Sequence, residues 1–389
     1  MESSRGLTPS LARIFEGSSR RRGRLWILMM RSMSSGPRRC CCAEGPMRIG
    51  DTEIGPGHRA YVIAEIGVNH DGDVKQALAL TDAAAEAGAD AIKLQLFETD
   101  RLLSKAAKLA AYQKDAGETD PIEMLRRLEL SIEDMAEVVN RAHKRGIHAI
   151  VTVFSVELVE TADRLPWDAY KSASPDIINH PLLEAMAATG KSMIVSTGAS
   201  ELHEVLRAAR WLGGIRDRLA LLQCVSSYPA PEPAFDGIAA IAHATGLPVG
   251  YSDHTREIET GAQAVNAGAC VLERHITHDT TAKGPDHAAS LEPDDMSRYV
   301  AAAKEHPCRT PGGDGTKAVL DCERDVRRVS RQSLVASQPI PAGTEITRSM
   351  LTIKRPGTGL APFALDTVVG RKAARAISAD VPLVDGDLA

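Results

Sequence analysis

Residues 60–97 read AYVIAEIGVNHDGDVKQALALTDAAAEAGADAIKLQLF, and the spacing of their apolar residues decides the fold. AYVIAEIG and AIKLQLF are apolar runs of strand length. Between them, VKQALALTDAAAEAGAD places apolar residues at helical spacing and closes on a glycine, as helix C-termini commonly do. A strand, a helix and a second strand in that order imply a parallel pair joined by a crossover. The alternation continues, with HAIVTVF beginning at 148, AYKSAS at 169, SMIVSTG at 192, LALLQCVSS at 219, LPVGYSDHT at 247 and CVLERHIT at 270. SIEDMAEVVNRAHKRGI is a second clear helix. Eight such runs over about 245 residues match the size of a (β/α)8 TIM barrel. A doubly wound open sheet is the alternative, and the lack of a GxGxxG after the first run weighs against it.

The pattern changes near residue 305. HPCRTPGGDGTKAVLDCERD is rich in turn formers and charge and reads as a linker, followed by the short strand-like pieces SLVASQPI and MLTIKRP among turns. The expected organisation is an N-terminal extension over 1–46, a barrel over 47–305, a linker over 306–328 and a small, mostly β and irregular module over 329–389. The extension has nine Arg against three Glu and carries SSRRRGRLWILMMRSMSSGPRRCCC. That is the composition of a transit peptide, but its apolar run is too short for a membrane span, and the plainer expectation is an over-extended start with initiation at Met47.

From Met47 onward 37 basic residues face 48 acidic ones. A folded part this acidic argues against a nucleic-acid surface, which needs clustered Lys and Arg. Cys224, Cys270, Cys308 and Cys322 show no CxxC spacing, so neither a zinc site nor a disulfide framework is expected, and a cytoplasmic, non-membrane protein fits.

In a barrel the reactive groups sit at the C-terminal ends of the strands. Here those ends carry Glu65, then Lys93 and Gln95, then Lys171 and Ser174, then Ser196 and Thr197, then Ser252, Asp253 and His254, and lastly Glu273, Arg274 and His275. Residues two apart share a strand face, so Lys93 with Gln95, Ser252 with His254 and Glu273 with His275 project together. Buried charges of both signs should neutralise one another or await a ligand. The last two strands are neighbours in a barrel, so His254 and His275 can converge. Two imidazoles there suit a divalent transition metal, although two hydrogen-bonded core histidines satisfy the same pattern. Glu273 is then a partner behind the metal or a substrate acceptor. Two lysines among Ser and Thr suit a phosphate or carboxylate. Asp176, Tyr228 and Asp286 lie in loops just beyond strands and join the constellation by position.

The stretches EIGVNHDGD (65–73), IKLQ (92–95), YKSAS (170–174), IVSTG (194–198), LQCVSSYPAP (222–231), GYSDHT (250–255), LERHIT (272–277) and KGPDHAASLEP (283–293) resemble the sialic acid synthases, N-acetylneuraminate synthase and its legionaminic and pseudaminic relatives. SRQSLVASQPIPAGTEIT and LTIKRPGTGL resemble the antifreeze-like (SAF) domain of that family. The resemblance covers residues 48–389. It implies condensation of phosphoenolpyruvate with an N-acylated mannosamine-type sugar, with water added and phosphate released. It implies His254 and His275 as ligands of a divalent metal, Mn2+ or Mg2+. Lys93, Thr152, Lys171, Ser174, Ser196, Ser226, Tyr228 and Ser252 match positions that bind phosphoenolpyruvate. Glu65, Gln95, Asp176 and Asp286 match the sugar side or the attacking water. Arg355 matches an arginine that one subunit's SAF domain extends over the other's barrel, which implies a domain-exchanged homodimer.

Two positions depart from the bacterial sialic acid pattern: Asp176 stands where Glu is common, and Ser226 where some members have Asn. Both bear on the sugar, and 2,4-diacetamido-2,4,6-trideoxymannose, the precursor of legionaminic acid, competes with N-acetylmannosamine. A Schiff-base aldolase using Lys171 and an inactive carbohydrate-binding barrel are the other readings.

Overall fold

The computed structural model describes residues 46–389, so the expectations for the N-terminal extension lie almost wholly outside the described residues. The eight expected strands are all present: β3 (Tyr61–Gly67), β4 (Ala91–Leu96), β5 (His148–Val153), β6 (Ala169–Ser172), β7 (Ser192–Ser196), β8 (Leu219–Cys224), β9 (Val249–Asp253) and β10 (Val271–His275). Every neighbouring pair is parallel, and β10 pairs with β3 to close the barrel. The strands are buried on both faces, inside by the barrel and outside by the helices, which is why they read as near-continuous apolar runs.

The helices form where their caps and apolar stripes dictate. Asp73 accepts from the backbone N–H of Lys75 at the start of Val74–Glu86. Ser131 and Asp134 form a reciprocal cap for Ile132–Lys144, which buries Met135, Val138, Val139 and Ala142 at helical spacing.

The sequence did not announce two features. A hairpin of β1 (Met47–Ile49) and β2 (Thr52–Ile54) closes the N-terminal end of the barrel, with Met47, Ile49 and Ile54 in the main core and the Arg48 carbonyl bonded to Ser192 at the start of β7. The long connection between β4 and Ile132–Lys144 holds three short helices, Thr99–Leu102, Ala111–Asp115 and Pro121–Arg127. It builds its own apolar cluster from Phe97, Leu102, Leu103, Leu109, Met124 and Leu128, with Phe154 from the loop after β5.

The small domain has a separate core around Leu334, Ile340, Ile346, Leu351 and Leu383, beneath a two-stranded antiparallel sheet of β11 (Ser333–Ala336) and β12 (Leu351–Lys354). The linker is shorter than expected. Residues 324–330 form a helix, because Val326 and Val329 have an apolar partner in Ala110 that brings order to this charged stretch. The domain docks on this chain's own barrel. Arg327 and Arg331 bond to Glu204, Gln332 bridges Asn179 and the Phe154 carbonyl, and the Arg355 backbone pairs with Leu102 and Ser104.

Candidate active site at the barrel mouth

Strand register lays the ionic groups in layers. Glu65 is level with Lys93 on one side and His275 on the other, and Gln95, Thr152 and Lys171 run level across β4, β5 and β6. Lys93 Nζ lies 3.0 Å from Glu65 and 3.3 Å from Glu273, and donates to Thr152 Oγ1 at 3.1 Å. Lys171 Nζ lies 3.1 Å from the other oxygen of Glu273, which also accepts from Ser252 at 3.0 Å. Gln95 donates to Glu65 at 2.7 Å. Two ammonium groups therefore face two carboxylates with little water between them.

Burial alone would raise the Glu273 carboxyl, but Lys171 and Lys93 hold it well below the usual range. Glu65 has one such neighbour and a like charge in Glu273, and burial pushes it up. Lys171 is pushed down, first by burial, with Lys93 adding to it. Lys93 between two carboxylates is held up against its own burial.

On the next strands, Ser174 donates to Ser196 at 3.0 Å and accepts from the Gly198 N–H at 3.1 Å. Ser226 Oγ is buried without a partner. A Cβ at residue 198 would come within 2.2 Å of Ser226 Oγ and 2.8 Å of Ser174 Oγ, so only glycine lets the backbone wall this pocket. Hydroxyls and amides over two lysines are an anion-binding set.

His254 and His275 meet as expected, with ring centroids 5.7 Å apart. His254 Nδ1 is 2.9 Å from the Val225 carbonyl, which fixes that nitrogen as the donor and turns Nε2 toward Ser252 Oγ at 3.5 Å. His275 Nδ1 is buried with no hydrogen bond, and burial with the charge of nearby groups keeps this ring neutral. Burial would lower the His254 pKa, but Cys224 and the Val225 carbonyl raise it, so the two imidazoles fit a divalent cation once His254 gives up its proton. Among the described residues no three His, Cys, Asp or Glu side chains converge at metal-binding spacing, so the protein would supply two ligands and substrate or water the others.

All the expected site residues except Asp176 line one cleft. Asp176, on the turn Ser174–Ile178, is 1% exposed with Oδ2 unpartnered, and the mouth residues Arg355 and Lys171 are near enough to act on its charge. Burial pushes its carboxyl up to about 7, with Arg355 and Lys171 opposing. Asp286 lies 3.7 Å from His275 Nδ1 and is also pushed up to about 7, by burial and the charge of Glu65. Arg355 reaches over the mouth of its own chain and stacks on Phe154 at 5.4 Å. The arrangement holds because residues 102–104 grip its backbone.

The sequence reading missed an aromatic ladder. Tyr112 packs on Tyr228 with centroids 4.9 Å apart, and Tyr228 packs on His254 at 4.1 Å. Phe97, Leu102, Met124, Leu128 and Phe154 form an apolar wall of the same cleft. The apolar residues of 97–130 carried this signal, but without a periodicity that assigns a face. Asp253 and Arg274 point out of the barrel, where they pair at 2.9 Å, both fully buried, and tie together the strands that bear the histidines.

The NeuB family model matches residues 80–310, and the SAF domain model matches residues 331–389. The chain is 36% identical to the N,N'-diacetyllegionaminic acid synthase of Legionella pneumophila over 339 residues, covering 85% of this chain and 95% of that protein. It is 32% identical to the N-acetylneuraminate-9-phosphate synthase of Homo sapiens over 85% of this chain and 93% of that one. The crystal structure of the spore coat polysaccharide biosynthesis protein SpsE of Bacillus subtilis superposes with a TM-score of 0.75 at 29% identity, covering 89% of this chain and 99% of that chain.

Proposed function

The chain belongs to the NeuB family, and from that premise we propose that it is a nonulosonic acid synthase joining phosphoenolpyruvate to an N-acylated mannosamine-type sugar. The observation that carries this reading is the buried Lys93–Glu273–Lys171 bridge facing two histidines across one mouth. A trianionic ligand needs fixed cations and donors, and here they are held ready by a carboxylate that can share them. Lys93 and Lys171 hold its carboxylate and phosphate, with Thr152, Ser174, Ser196, Ser226 and Ser252 supplying hydroxyls. A divalent Mn2+ or Mg2+ on His254 and His275 supplies, when bound, a Lewis acid for the sugar's aldehyde oxygen.

The enol carbon attacks the aldehyde carbon, forming the C–C bond as the C=C and C=O π bonds open, and the aldehyde oxygen takes up a proton. Water adds at the neighbouring carbon and gives its proton to a carboxylate. Glu65 and Asp286 suit this step because their pKa values are raised. Collapse of the tetrahedral intermediate breaks the C–O bond to phosphate and leaves the keto acid. Arg355 and Tyr112 cover the sugar and exclude bulk water. The reading includes a domain-exchanged homodimer, since a second copy's small domain could make the same contacts through the irregular segment 304–320.

The apolar wall favours 2,4-diacetamido-2,4,6-trideoxymannose, whose methyl groups it would bury, over N-acetylmannosamine with its polar C6 hydroxyl. The Legionella relative, a diacetyllegionaminic acid synthase, points the same way. A Schiff base on Lys171 is the competing reading, since burial lowers its pKa. Free thiols at Cys224, Cys270, Cys308 and Cys322 suit a reducing cytoplasm, and among the described residues no helix is long and apolar enough to cross a membrane.

The test is phosphate release from phosphoenolpyruvate with Mn2+ and each sugar. Release is expected with the diacetamido sugar, lost on chelation and in His254→Ala. No release with either sugar, or borohydride trapping of pyruvate on Lys171, refutes the reading.

A further inference from the structure

We propose that Glu323, in the segment leading to the small domain, is a positioning residue for the phosphate pocket, an inference that rests on the function proposed above. Glu323 is 1% exposed and is not among the residues lining the mouth. Its Oε1 accepts from two backbone N–H groups, Ala199 at 2.6 Å and Ser226 at 2.8 Å. Ala199 lies in the loop after β7, next to Gly198, and Ser226, in the loop after β8, itself carries a hydroxyl of the anion pocket. Its Oε2 accepts from the Leu320 N–H at 3.0 Å, which anchors the carboxylate to its own segment.

The loop after β7 needs such a hold. Ala199 has φ +49°, a left-handed conformation that residues with a Cβ rarely adopt and that persists only where surrounding groups enforce it. Both faces of this residue are clamped from one segment. Glu323 takes its N–H, while Arg327 at 2.5 Å and Arg331 at 3.2 Å donate to its carbonyl. Gly198, one residue earlier, walls the pocket by backbone alone and bonds to Ser174. A single carboxylate thus sets the spacing between the Ser196–Gly198 and Ser226 sides of the anion pocket. A negative charge behind an anion site works against the ligand's charge, so what it contributes is geometry. Phosphoenolpyruvate affinity then depends on the docking of a segment outside the barrel.

The variants that separate geometry from charge are Glu323→Gln, which keeps the length and an accepting oxygen, and Glu323→Asp, which keeps the charge but falls one methylene short. In the full-length protein, titration of phosphoenolpyruvate and steady-state phosphate release are measured for both, alongside Glu323→Ala. Glu323→Asp and Glu323→Ala are expected to weaken phosphoenolpyruvate about tenfold or more in Kd and KM, with the sugar KM within about twofold. Glu323→Gln is expected to recover most of that loss. Wild-type phosphoenolpyruvate affinity in Glu323→Asp, or recovery by Asp and not by Gln, overturns the inference alone. If Glu323→Ala does not fold, the Gln and Asp pair still decides. A wild-type protein that binds no phosphoenolpyruvate overturns both this inference and the function beneath it.

Discussion

Replacing Asp176 by Asn should destabilise the ligand-free protein at pH 4 and stabilise it at pH 8. Burial pushes the Asp176 carboxyl up from 3.8 to about 7, against the pull of Arg355 and Lys171. Below about pH 4 both folded and unfolded chains carry the proton, and there is no penalty. Between about 4 and 7 the unfolded chain ionises while the folded one keeps its proton, so the folded state loses ground as pH rises, and above 7 the penalty is constant. A rise of about three pH units at about 1.36 kcal/mol each is worth about 4 kcal/mol. Asn escapes this penalty, but its amide takes over the unpartnered position of Oδ2 at about 1–3 kcal/mol. The variant should therefore be less stable than wild type at pH 4 and more stable by about 1–3 kcal/mol at pH 8. Calorimetric melting from pH 4 to 9 reads this as a Tm difference that climbs through zero, levels near pH 7 and reaches a few degrees. A difference that does not change with pH would refute the buried, proton-holding carboxyl. A side chain that destabilises its own fold at working pH fits one kept for the ligand.

Glu273→Gln leaves Lys93 and Lys171 with Glu65 alone, and breaking such a buried bridge should cost about 3–5 kcal/mol. Phosphoenolpyruvate should return part of it, so the ligand-induced rise in Tm should exceed that of wild type; an equal or smaller rise means the lysines do not await an anion. Mixing the inactive variants Arg355→Ala and Lys171→Ala should restore about a quarter of the activity in a domain-exchanged dimer, where an intact barrel meets an intact arginine from the other copy. No recovery would fix Arg355 to its own barrel.

The mouth was legible wherever strand periodicity controls direction. Lys93 with Gln95 and Glu273 with His275 share a face because side chains alternate along a strand, and parallel neighbours bring those faces to one rim. Asp253 and Arg274 interleave with the site residues and point the other way for the same reason. Asp176 sits on a turn, where no period fixes the side chain, so only its place just beyond a strand was legible. Tyr112 and the apolar wall were missed because residues 97–130 fold into short pieces whose faces are set by what they cover. Glu323 read as part of a charged linker, since nothing local marks a carboxylate that bonds to amides more than ninety residues away.

The sequence by itself determined the eightfold alternation, the strand ends and the chemical types assembled there, because these follow from local periodicity and from which residues can end a buried strand. Only the tertiary structure decided how the charges divide among partners, which carboxyls keep their protons, and what closes the mouth. Those properties depend on desolvation and on distances between groups far apart in the chain. Asp176 and Asp286 are ordinary acids in the sequence, and burial, joined at Asp286 by the charge of Glu65, raises both toward neutral pH.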